Sequence, residues 1–69
     1  MKISPRNMLK GKVREIVKGP VDAEVSVELP SGELLVSIIT SKSVENLDLT
    51  EGKDVYLVIK ATNVMIAID

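Results

Sequence analysis

Val21-Asp22-Ala23-Glu24-Val25-Ser26-Val27-Glu28-Leu29 is the stretch that decides the fold. Apolar residues at 21, 23, 25, 27 and 29 alternate with Asp22, Glu24, Ser26 and Glu28, a period of two that suits a strand with one buried and one wet face. Lys18-Gly19-Pro20 before it is a turn, and Leu9 to Val17 reads as an earlier strand, rich in β-branched residues. Pro30-Ser31-Gly32-Glu33 after it is a tight hairpin turn leading into Leu34 to Ile39. That run is nearly all apolar, as a strand buried on both faces or against a partner would be, and it predicts a central place in the sheet.

Thr40 to Leu47 departs from alternation. Hydroxyl residues followed by Val44-Glu45-Asn46-Leu47 predict one or two turns of helix with Thr40 or Ser41 at the N-cap. Leu49 to Lys53 is a loop turning at Gly52. Val55, Leu57 and Ile59 then alternate with Tyr56, Val58 and Lys60 in a fourth strand, Ala61-Thr62-Asn63 turns, and Val64 to Ile68 predicts a fifth. Three strands, a short helix and two strands predict an all-β fold, a five-stranded OB-like barrel with one short helix after strand three. Residues 1–69 read as a single domain.

The chain has 69 residues, 45% of them hydrophobic, and such a small domain usually needs a staple beyond its own core. With no Cys and no His, a disulfide is excluded and a structural zinc site is disfavoured, which leaves oligomerisation. Net charge is −1, yet Lys2, Arg6, Lys10, Lys12, Arg14 and Lys18 stand against Glu15 alone in the first 18 residues. A basic arm suggests nucleic acid, but Tyr56 is the only aromatic residue on which a base could stack. The plainer reading puts Lys10, Lys12 and Arg14 on the solvated face of a strand. No apolar leader follows Met1-Lys2 and no apolar run approaches the ~20 residues that span a bilayer, so a cytoplasmic protein without a membrane partner is expected.

Without His or Cys, general-base and thiolate chemistry lack their usual carriers, and no enzyme activity or catalytic residue is predicted. Anion binding has a better basis. Ser4-Pro5-Arg6-Asn7, Thr40-Ser41-Lys42-Ser43 and Lys60-Ala61-Thr62-Asn63 offer hydroxyl donors and permanent cations at three separated places. Each has a structural reading too: Thr40 and Ser43 cap a helix, Lys60 flanks a barrel rim, and Arg6 is an exposed arm charge.

Ser4-Pro5-Arg6-Asn7-Met8-Leu9-Lys10-Gly11-Lys12-Val13 resembles the SARNQLKGKV opening of the molbindins. The likeness continues through Lys18-Gly19, Ala23-Glu24-Val25, Ser37-Ile38-Ile39-Thr40, Ser43-Val44-Glu45, Glu51-Gly52 and Ile59 to Met65, covering essentially the whole chain. The resemblance implies a free-standing molbindin (Mop) domain that binds molybdate or tungstate for intracellular storage or homeostasis, without protein ligands to a metal cation. It implies a homo-oligomer, a hexamer built as a trimer of dimers with the anions between subunits, and no nucleic-acid partner. By residue it carries over an oxyanion site of Ser4, Arg6, Lys60 and the backbone N–H of Ala61 on one side, with Thr40 and Ser43 from the partner. A second site is implied near Gly19, Val21 and Asp22. Pro5 stands where the family has Ala and lacks that residue's backbone donor. The competing expectation is a small OB-type module that binds nucleic acid or protein.

Overall fold

The computed structural model describes residues 4–69; Lys2 of the basic arm lies outside them. β1 (Asn7–Lys18), β2 (Asp22–Glu28), β3 (Leu34–Thr40) and β4 (Asp54–Ile59) form one antiparallel sheet in the order β3-β2-β1-β4. Helix α1 (Ser41–Asn46) follows β3, and a single 3-10 turn (Ala61–Asn63) follows β4. Three strands, the helix and the intervening turns therefore stand where the alternation and the Gly and Pro residues put them. β1 is longer than the expected Leu9 to Val17.

Two features bend β1 so that it serves both halves of the curled sheet. It pairs with β4 through Asn7–Lys12 and with β2 through Lys12–Lys18. At Gly11 a Cβ would meet Val27 Cγ1 at 2.6 Å and the Glu28 carbonyl oxygen at 2.8 Å, so the strand crosses β2 at a distance only glycine permits. A bulge then shifts the register between Val13 and Glu15. Arg14 and Glu15 both face water, and Ile16 turns inward. Without the extra residue, strict alternation from Val13 would point Glu15 into the core.

The core consists of Val13, Ala23, Val25, Val27 and Val44, with Ile16, Ile39, Leu49, Val55 and Leu57 packed around it. It is a small one. Of the two expected candidates, Thr40 is the N-cap of α1, its hydroxyl accepting from the Ser43 N–H at 3.0 Å. At the other end Lys53 Nζ donates to the Leu47 and Asp48 carbonyls at 2.9 and 3.0 Å, tying down the helix exit.

Two expectations fail. β3 is an edge strand, not a central one: Leu34, Val36 and Ile38 face outward and are exposed, while Leu35, Ser37 and Ile39 are only half-buried. An apolar run reports that both faces are greasy, not that this chain covers them. The fifth strand is also absent, because the residues from Val64 onward continue past the 3-10 turn without joining a ladder. Met65, Ile66 and Ile68 are each more than nine-tenths exposed. β-propensity is local, whereas a strand needs a partner edge.

The accessible surface is correspondingly large. It measures 5673 Å², where a folded 7.5 kDa monomer is expected to show about 4,250 Å². Radius of gyration agrees in sense, at 12.8 Å against about 11 Å for a compact chain of this length.

Candidate functional site

Pairing of Asn7 with Ile59 at the end of the β1–β4 ladder sets Arg6 beside Lys60, although they are far apart in sequence. Ser4, Pro5, Arg6, Lys60, Ala61 and Thr62 together line a concavity of about 220 Å³. Four of the expected site residues, Ser4, Arg6, Lys60 and Ala61, are thus brought together. Lys60 is the N-cap of the 3-10 turn and its carbonyl accepts from Asn63, so the N–H groups of Ala61 and Thr62 have no acceptor within that turn. Thr62, which was not among the expected site residues, lines the same concavity. Its signal was available, since a hydroxyl one position beyond Ala61 shares the same short turn.

Thr40 and Ser43 lie elsewhere. Thr40 pairs with Asp22, and Ala23 pairs with Lys18, so both hydroxyls belong to the Lys18 end of β1. The twelve residues of β1 that intervene amount to roughly 40 Å of extended chain before the bend. The expected site residues of a single chain therefore fall into two separated groups. In the second group, Thr40 Oγ1 donates to Ser43 Oγ at 2.8 Å while accepting from the Ser43 N–H. This arrangement commits the Thr40 proton and leaves the Ser43 hydroxyl proton free to be donated outward.

Gly19, Val21 and Asp22 form the adjoining turn. The Gly19 N–H donates to the Asp22 carbonyl at 2.9 Å, and the Gly19 and Val21 carbonyls accept from Ser41 Oγ and the Ser41 N–H at 2.6 and 2.8 Å. These groups are already engaged within the chain.

Three of the cations are paired, while Lys42, beside Thr40 and Ser43, is in no ion pair among the described residues. Lys12 pairs with Asp54 at 3.1 Å, Arg14 with Glu28 at 2.6 Å and Lys18 with Glu45 at 2.6 Å. Hydrogen bonding to Lys18, together with its charge, holds the Glu45 carboxyl below its ordinary range. Arg6 and Lys60 form no ion pair among the described residues. Also among these residues, no cluster of three or more His, Cys, Asp or Glu is placed to hold a metal ion. No helix is long and apolar enough to cross a membrane.

The TOBE domain model matches residues 3–66. Molybdenum-pterin-binding protein 3 of Clostridium pasteurianum is 50% identical over 66 residues, covering 96% of this chain and 97% of its own. Among solved structures, MopII from Clostridium pasteurianum in an apo form superposes with a TM-score of 0.92 at 48% identity, over 97% of this chain and 100% of that one. A molybdate-binding protein from Sporomusa ovata gives a TM-score of 0.93 at 44% identity, over 99% and 100%.

Proposed function

We propose, for a chain that belongs to the TOBE-domain family and within it to the molbindins, the binding of molybdate or tungstate as a cargo oxyanion for intracellular storage or homeostasis. The observation that carries the reading is the concavity of Ser4, Arg6, Lys60, Ala61 and Thr62, where two cations unopposed by a carboxylate among the described residues meet hydroxyl donors. Molybdate is a tetrahedral dianion with only acceptor oxygens. Arg6 offers a planar fork of N–H donors, Lys60 a point charge, and the hydroxyls and the Ala61 N–H neutral donors, a set that replaces the anion's water shell. Sulfate carries the same charge on shorter bonds, so a cavity sized for molybdate stretches its hydrogen bonds and disfavours it.

In this reading the site is shared. Thr40 and Ser43 are too far along β1 to join Arg6 of their own chain, and a second copy supplies them. The excess surface and the bare arm from Val64 to Ile68 support such a partner. β3 and β4 are the two free edges of the curled sheet, and Leu35, Val36 and Ser37 face Tyr56 to Ile59 across a gap of about 230 Å³. An apolar arm from a second copy completes the barrel there, at the place the fifth strand would occupy. Trimerisation of such dimers makes the hexamer, in the cytoplasm. We assign no catalytic step. The nucleic-acid alternative is weakened because Lys12, Arg14 and Lys18 are each answered by a carboxylate. The Gly19, Val21 and Asp22 turn is the poorer host for a second anion, since its Gly19 amide is engaged and Asp22 adds a negative charge.

Elemental analysis of the purified protein for molybdenum and tungsten, with calorimetric titrations of molybdate, tungstate, sulfate and phosphate, tests the assignment. Molybdate or tungstate binding at least tenfold tighter than sulfate is the expected result. Equal, weak affinity for all four anions overturns it.

A further inference from the structure

We infer that Ser41, which carries no role in the site above, is a positioning residue for the hydroxyl half of that site and makes the Gly19–Asp22 turn a remote control on it. The inference rests on the shared-site reading. Among the described residues Ser41 is the one buried polar side chain, 7% exposed. Both of its donors go to the same turn: Oγ to the Gly19 carbonyl at 2.6 Å and the backbone N–H to the Val21 carbonyl at 2.8 Å. One bond fixes a point, and two fix an orientation.

The turn that accepts these bonds is itself constrained. The Gly19 N–H closes it on the Asp22 carbonyl, and a Cβ at Gly19 would stand 2.8 Å from that same oxygen. Lys18, one residue before, grips Glu45 further along α1. Ser41 lies between Thr40 and Ser43 in a helix of only six residues, too short to hold its shape without tertiary support. Val44 in the core and Lys53 at the exit hold the body of the helix, and at its first turn, which carries the two hydroxyls, the bonds of Ser41 to the turn are the tertiary tie. When Thr40 and Ser43 reorient toward an anion, the first turn of α1 must either stretch the Ser41 bonds or carry Gly19–Asp22 with it. By linkage, a change that displaces the turn also alters anion affinity.

Amide NMR of the intact assembly during a molybdate titration tests this. In the wild type, the Thr40, Ser43, Gly19 and Asp22 amide signals are expected to move together with one midpoint. In Ser41→Ala, Thr40 and Ser43 still move, Gly19 and Asp22 lose most of their shift, and affinity falls about three- to tenfold, as the loss of one ordinary hydrogen bond gives. Ser41→Thr, which keeps the hydroxyl, restores the linked movement. Stationary Gly19 and Asp22 signals in the wild type, while Thr40 and Ser43 move, overturn the inference without needing any variant. Undiminished movement in a folded Ser41→Ala does so as well. If Thr40 and Ser43 stay still at saturating molybdate while Arg6 and Lys60 respond, the shared site itself is wrong, a result distinct from the other two.

Discussion

At the Lys18 end of β1, Lys18, Ser41 and Thr40 each find a partner within the chain, in Glu45, Gly19 and Ser43. At the Asn7 end, Arg6 and Lys60 share a concavity with no carboxylate among the described residues, and the chain runs on into exposed Val64, Met65, Ile66 and Ile68. The residue types are similar at the two ends. Their surroundings differ: one end uses most of its polar groups to hold the fold while keeping the Ser43 hydroxyl proton for a ligand, and the other leaves charge and apolar surface for something outside the chain. Donor chemistry alone does not mark a binding site; donors without an internal acceptor do.

The largest test of that contrast concerns the arm. Ile66→Asp combined with Ile68→Asp puts two charges where apolar contact is expected, and the proposed hexamer, established first for the wild type, should give way to smaller species in sedimentation equilibrium. A variant that stays hexameric means that the open end is not an interface. Next come the free cations. Arg6→Ala or Lys60→Ala should weaken molybdate binding by about 2–5 kcal/mol, as truncating one member of a desolvated charge pair does, whereas Lys10→Ala, outside the concavity, should leave it nearly unchanged. Calorimetric titration distinguishes them, and equal losses in all three would reveal a diffuse basic surface. Ser43→Ala should cost about 1–2 kcal/mol, a neutral donor's share.

Gly11 sharpens the comparison from the side of the fold, because it lies between the two ends. Gly11→Ala forces a methyl against Val27 and the Glu28 carbonyl and should lower stability by about 1–3 kcal/mol in chemical denaturation. Unchanged stability would show that β1 can swing away from β2 freely. The smallest effect belongs to the paired end. Lys18 depresses the folded-state pKa of Glu45 below its unfolded value near 4.5, so this contribution is present above that pH and is lost as pH falls through the folded value. Both groups are exposed to solvent, and salt should mute the effect. Melting temperatures of wild type and Glu45→Gln should differ slightly at pH 6 and converge toward pH 3. A constant difference would exclude the ion pair as its cause.

Much of this was legible in the residues. The period of two through Val21 to Leu29 specifies β2, and Gly32 and Gly52, at φ of 94° and 88°, mark turns only glycine takes easily. Thr40 announces its cap. What could not be read is whatever depends on pairing. Leu34 to Ile39 is apolar on both faces whether a sheet or another molecule covers them, and Val64 to Ile68 has strand-forming residues but no edge in its own chain. The site was half legible for the same reason. Arg6 and Lys60 could be named from their residue types and the family resemblance, but their meeting depends on the β1–β4 register, and the separation of Thr40 and Ser43 from them follows from the length and bend of β1.

The edge position of β3 has a consequence for the protein before it is assembled. Leu34-Leu35-Val36-Ser37-Ile38-Ile39-Thr40 is seven residues of high β-propensity with no charge, no Pro and no Gly, at the open margin of a sheet. That is the signature of a segment prone to cross-β stacking. Glu33 and Lys42 flank it as charged gatekeepers, but none interrupts it. A nascent or dilute chain thus carries an aggregation hazard in this strand, and Val36→Lys, on the outward face, is the substitution that should suppress turbidity in refolding.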